Sequence, residues 1–158
     1  MEKIIIQENK KLKLVNVLVK ELRRISADDI QNEIRRFMNF LEVAHIQIRG
    51  PLITRTIGTH IDSIEGLLID YDIMIQTVRT FSIENYKFLN SLSFNNCLYV
   101  HYKGNQDELT YIQTKFELYV WENNLISTGE EIIVHLDTDN EKMTVDVFRP
   151  MVNFNENL

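Results

Sequence analysis

The stretch FNNCLYVHYK at residues 94–103, followed by GNQDEL at 104–109, decides the fold. Side chains alternate along a strand, so Leu98, Val100 and Tyr102 share one face of an extended run. Gly104-Asn105 ends it. Asn105 with Glu108 three residues on has the pattern of a helix start. Leu109, Ile112, Phe116 and Tyr119 then recur at helical spacing. Asn123-Asn124 supplies a left-handed stop, with Leu125 placed for the hydrophobic contact that accompanies one. EIIVHL (131–136) and MTVDVFR (143–149) read as two strands around the polar turn 137–141. The second half of the chain is therefore strand, helix, strand, strand.

The first half has the same order. LKLVNVLV (12–19) is a nearly continuous apolar, β-branched run of the kind found in buried strands. Ser26 opens a helix, with Asp29 completing a capping box. Ile30, Ile34, Phe37, Met38 and Leu41 fall on one helical stripe and form its core face. Gly50-Pro51 marks a turn before LITRTI (52–57). In GLLIDYDIMIQTVR (66–79), Leu67, Ile69, Tyr71, Ile73 and Ile75 alternate with a second face carrying Asp70 and Asp72. The two acids are expected in solvent. TFSIENYKFLNSLS (80–93) reads as a connector that packs on the body, with room for a short helix.

The sequence thus predicts an α+β fold of tandem βαββ repeats: a pseudo-twofold, mostly antiparallel sheet with two helices on one face. Residues 1–158 are expected to form a single domain, with repeat one at about 10–80, the connector at 81–93 and repeat two at about 94–152. The concave side of such a sheet is a groove between the repeats, a default position for a ligand.

Composition narrows the function classes. The chain has 158 residues, a 44% hydrophobic fraction and 25% charged residues, which is ordinary for a globular protein. Its net charge is −6, the reverse of the basic footprint that nucleic-acid binding requires. Lys10, Lys11 and Lys13 read as a solvated strand start. Cys97 is the only cysteine, so no intrachain disulfide forms, which fits a reducing, cytoplasmic setting. No apolar run is long enough for a membrane span. His45, His60, His101 and His135 contain no pair at zinc-site helical spacing, and Cys97 has no cysteine partner. No metal, cofactor or catalytic pair is expected.

The second half resembles the GyrI-like, or effector-binding, domain of bacterial multidrug-sensing transcription activators. The residues that carry the resemblance are YVHYKGNQDEL (99–109), YVWENNLISTGEEI (119–132) and VDVFRPMV (145–152); IRGPLITR (48–55) fits the first repeat in outline. The family has a strand entering a His/Lys-Gly turn, then a helix, and a last strand ending in an acid, three residues and Pro. Its ligand-binding members place a buried carboxylate on that strand. Asp146, four residues before Pro150, matches the position, where the family more often has Glu. The family's DNA-binding region has no counterpart among these repeats, which implies a stand-alone version.

On the closing strand Thr144, Asp146 and Phe148 share one face, opposite Met143, Val145 and Val147. The second set reads as helix-packed core, which turns Asp146 and Phe148 toward the ligand. Tyr71, Tyr99 and Trp121 complete the candidate ligand-binding set. A carboxylate among aromatic rings suits a lipophilic cation. The function expected is a non-enzymatic small-molecule binding domain. The alternative is a protein-interaction module, an adaptor or inhibitor of one partner protein, with no nucleic-acid or membrane partner in either case.

Overall fold

The computed structural model describes residues 3–139 and 142–152. Asn140 and Glu141 of the expected turn lie outside the described residues. The chain is α+β, with β1 (Gln7–Ser26), α1 (Ile30–Val43), β2 (Leu52–Asp62), β3 (Gly66–Gln76), β4 (Lys87–Asn105), α2 (Leu109–Glu122), β5 (Glu131–Asp139) and β6 (Lys142–Pro150). This is βαββ twice. The residues divide into two compact units, one of Leu14–Leu92 and the other of the first 13 residues together with Ser93 onward.

In the Leu14–Leu92 unit, β3 runs antiparallel between β1 and β2. One face of this sheet carries Leu18, Leu22, Ile73 and Ile75, which pack with Phe37 and Leu41 of α1. The helix stripe is the one its spacing demands, with Ile34 and Met38 partly buried on the same core. Ser26 is extended, and its side chain accepts from the Asp28 amide at 3.3 Å. A short 3-10 turn at Ala27–Asp29 leads into α1.

The connector expected at 80–93 is only partly one. Phe81, Ile83, Tyr86 and Phe88 do pack on this core, and Tyr86 stacks on Phe40 with ring centroids 4.8 Å apart. From Lys87 onward, however, the chain is already β4. Residues 87–93 lack the apolar, β-branched run that marks a buried strand, so their strand character comes from pairing rather than from local preference.

In the second unit, β6 runs antiparallel between β4 and β5. Leu98, Val100, Tyr102, Met143, Val145 and Val147 face Ile112 and Phe116 of α2. The helix ends as its sequence dictates. Asn124 takes φ 52, and the Leu125 amide donates to the Val120 carbonyl at 2.9 Å. This is the left-handed stop in which backbone donors satisfy the last orphan carbonyls. Asn105 is extended as a helix start requires but makes no side-chain capping bond. Glu108 is instead engaged by the Tyr102 hydroxyl at 2.8 Å.

Both ladders bend at the same place. Asn16 has φ 51 and Asn96 φ 53, a left-handed conformation that Asn tolerates well. The Thr77 amide donates to the Asn16 carbonyl at 2.8 Å, and the Met151 amide to the Asn96 carbonyl at 3.1 Å. Val17 then pairs with Gln76 and Glu21 with Asp72, while Cys97 pairs with Pro150 and His101 with Asp146. From Val17 to Leu22 and from Cys97 to Tyr102 the two ladders therefore correspond residue for residue, and Asp72 is the counterpart of Asp146; beyond Leu22 the first ladder shifts register and the second does not.

Candidate functional site

Because Met143, Val145 and Val147 are buried against α2, strand alternation sends Asp146 and Phe148 to the opposite face of the sheet. Tyr99 and His101 of β4 reach the same face, since Phe148 pairs with Tyr99 and Asp146 with His101. The Tyr99 hydroxyl donates to Asp146 Oδ1 at 2.7 Å. His101 Nδ1 lies 2.7 Å from the same oxygen. The Asp146 side chain is 22% exposed. Tyr99 and Phe148 pack ring to ring at 4.9 Å, tilted by 40°. Partial burial and the adjacent Asp146 carboxylate push the Tyr99 phenol up to about 12, so it remains a hydrogen-bond donor at neutral pH.

Tyr99, Asp146 and Phe148, with Lys10 and Lys11, line a recess of about 280 Å³. Both lysines are exposed. The sequence alone marks them as a solvated strand start. Their proximity to Asp146 is a tertiary fact that no local pattern carries. His101 was also missed, although the strand parity that puts Leu98, Val100 and Tyr102 in the core leaves Tyr99 and His101 on the other face.

The remaining candidates are placed elsewhere. Tyr71 belongs to the Leu14–Leu92 unit and packs on the core under α1. Trp121 sits on α2 and is 77% exposed. With Tyr111 and Leu118 it forms an exposed apolar stripe of that helix.

Asp72 corrects the expectation that both acids of β3 are solvated. Its side chain is 5% exposed. Arg23 Nη1 donates to Asp72 Oδ1 at 2.8 Å, and Arg23 Nη2 to Glu21 at 2.8 Å. Arg55 Nη1 approaches Asp72 Oδ2 at 3.6 Å. A carboxylate can be buried when cations on neighbouring strands neutralise it, and alternation within one strand does not reveal those cations. Asp70 does face solvent more, and it accepts from His60 Nε2 and from the Arg24 amide, each at 2.9 Å. The His60 bond, then the amide, hold its carboxyl below the usual range.

Cys97 is buried, and burial, aided by Glu130, pushes its thiol up to about 11. A thiol so far from its thiolate is a poor nucleophile. Among the described residues no three His, Cys, Asp or Glu side chains gather to hold a metal ion. Among the same residues no helix is long and apolar enough to cross a membrane.

No protein-family profile and no curated protein matches the chain. Solved structures do. The C-terminal domain of EcmrR aligns over 96% of this chain and 98% of its own, with a TM-score of 0.63 and 12% identity. EcmrR in complex with DNA aligns over 94% of this chain, which spans only 57% of that longer protein, with a TM-score of 0.66 and 13% identity. SAV2435 bound to tetraphenylphosphonium aligns over 98% and 97%, with a TM-score of 0.54 and 10% identity. A protein from Listeria innocua described as a hydrolase aligns over 95% and 92%, at 0.56 and 11%. These likenesses show the fold: the chain folds like the C-terminal domain of EcmrR and like SAV2435, the architecture expected from the resemblance of residues 99–109, 119–132 and 145–152.

Proposed function

We propose that this chain is a small-molecule binding domain that holds an aromatic or otherwise lipophilic cation at Asp146. The observation that carries the reading is a largely buried carboxylate beside two aromatic rings, Tyr99 and Phe148, in a recess of about 280 Å³. That volume lies near the lower edge of small-ligand sites, roughly 300–1,000 Å³. A cation there gains from the carboxylate and from the negative faces of the rings together. Lys10 and Lys11 at the margin are exposed, so water screens their charge more than that of Asp146. The tetraphenylphosphonium bound by SAV2435 is compatible with this class of ligand. The proposal rests on the Asp146 recess and not on a groove shared by both repeats.

The test is a thermal-shift titration with tetraphenylphosphonium and with tetraphenylborate, which has the same shape and the opposite charge. Binding to the folded state raises the melting temperature with ligand concentration. The cation should raise it and the anion should not. Equal shifts from both, or a shift from the anion alone, would remove Asp146 as the anchor.

Two other readings have a specific observation each. The exposed Tyr111, Leu118 and Trp121 on α2 favour a protein partner, because Tyr and Trp dominate interface energetics. The contact of His101 with Asp146 at 2.7 Å orients an imidazole as a general base would be oriented, and a structural neighbour is described as a hydrolase. Trp121→Ala leaves tetraphenylphosphonium binding unchanged if the ligand reading holds. Turnover of a small ester that disappears in His101→Gln would instead establish hydrolysis.

A further inference from the structure

The correspondence of the two ladders shows what the chain itself places on a carboxylate at this position. In the Leu14–Leu92 unit the counterpart of Asp146 is Asp72, and its partner is a guanidinium. Arg23 donates to it at 2.8 Å, and Arg55 approaches its second oxygen at 3.6 Å. The recess around Asp72, about 270 Å³, is lined by Val19, Arg23, Arg55 and Met74 among others. In the second unit several residues at the same ladder positions differ, although Lys103 follows Tyr102 as Arg23 follows Leu22. Val19 is replaced by Tyr99, Met74 by Phe148 and Glu21 by His101. The position of Arg55, opposite Asp72 on β2, is taken by Val134, opposite Asp146 on β5. A recess of aliphatic and charged side chains, with arginines on the carboxylate, thus becomes an aromatic recess whose opposing strand supplies no cation and whose lysines, Lys10 and Lys11, are exposed.

Among the described residues, the two bonds to Asp146 both end on Oδ1. In the other unit each oxygen of the carboxylate faces a guanidinium. A guanidinium or amidinium presents parallel N–H donors that match a carboxylate edge, and its planar face stacks on aromatic rings. A quaternary cation offers charge without donors.

We propose that the ligand at Asp146 is a planar, hydrogen-bond-donating cation of the guanidinium or amidinium class, standing where the chain's own arginines stand on Asp72. The inference rests on the cation-binding reading above and narrows it. Val134 leaves the strand opposite Asp146 without a built-in cation, and Tyr99 with Phe148 supplies the stacking surface that Val19 with Met74 does not.

The experiment compares three probes of similar size by calorimetric titration into the full chain: benzamidine, phenyltrimethylammonium and benzamide. The first donates and is charged, the second is charged without N–H donors, and the third donates without charge. Charge-assisted hydrogen bonds are worth roughly ten- to a hundredfold in affinity. Benzamidine is expected to bind about tenfold or more tighter than either other probe, and to lose that advantage in Asp146→Asn. Phenyltrimethylammonium binding as tightly as benzamidine would overturn the donor class while leaving a cation site in place. So would binding of tetraphenylphosphonium with none of the three probes. Failure of all four cationic and neutral probes would overturn both this inference and the reading it rests on. The wild-type comparison stands even where the variant folds poorly.

Discussion

Asp72 and Asp146 hold the same ladder position, yet their removal has different consequences. Asp72→Ala leaves Arg23 and Arg55 without the buried carboxylate between them. Breaking a fully buried pair costs about 3–5 kcal/mol. Arg23 is 42% exposed and can turn to water, so about 2 kcal/mol is expected, read as a lower denaturant midpoint. Asp146→Asn keeps the shape and can still accept from Tyr99, so its stability should change by about 1 kcal/mol or less. Equal destabilisation by the two substitutions would contradict the separate roles given to them. His135 offers a second test at this scale. Burial lowers its pKa from the ordinary value of 6.5. The unfolded chain therefore binds the proton more readily, and the penalty for charging His135 in the fold grows as pH falls from 6.5 toward the lowered value. Melting temperature should fall between pH 7 and pH 5, and His135→Gln should flatten that slope. The effect is separable from Asp62 and Asp70, whose depressed carboxyls come into play only at more acidic pH.

The helices show how far element-scale reading goes. The stripes of α1 and α2 were legible because packing on a sheet needs apolar residues at 3.6-residue spacing, and Phe37, Leu41, Ile112 and Phe116 are indeed the buried ones. The Asn124 stop was legible because Asn tolerates positive φ. Its counterpart was not. His45 takes φ 53 and closes α1 in the same way, with the Ile46 amide donating to Leu41 at 3.0 Å, but His gives no sequence signal for a left-handed residue. Glycine adopts that conformation without penalty, so His45→Gly should stabilise the chain by about 0.5–1 kcal/mol. That corresponds to a rise in melting temperature of roughly 1–4 °C. A fall would mean that the His45 side chain makes a contribution its backbone does not explain. The early start of β4 and the burial of Asp72 were illegible for a shared reason. Both depend on what the neighbouring strand supplies, and a pattern along one strand contains no information about its partner. The same holds for the recess. The strand face of Asp146, Phe148 and Tyr99 could be read from alternation, whereas Lys10 and Lys11 come to it across more than half the chain.

At the scale of the whole molecule, the chain folds the βαββ unit twice and equips the two copies differently. One copy satisfies its carboxylate from within. The other surrounds its carboxylate with aromatic rings and with hydroxyl and imidazole donors, and keeps Lys10 and Lys11 at the exposed margin. The central claim is that the charge of Asp146 holds a cationic ligand. The most direct test is a calorimetric titration of tetraphenylphosphonium into the wild-type chain and into Asp146→Asn, with folding of both checked by thermal melting. Loss of one partner of a desolvated charge pair costs about 2–5 kcal/mol, or roughly 30-fold or more in affinity. Wild-type binding that weakens by at least that factor in a folded Asp146→Asn is the predicted result. Binding of equal strength in both, or no binding of either tetraphenylphosphonium or benzamidine to the wild-type chain, would contradict it.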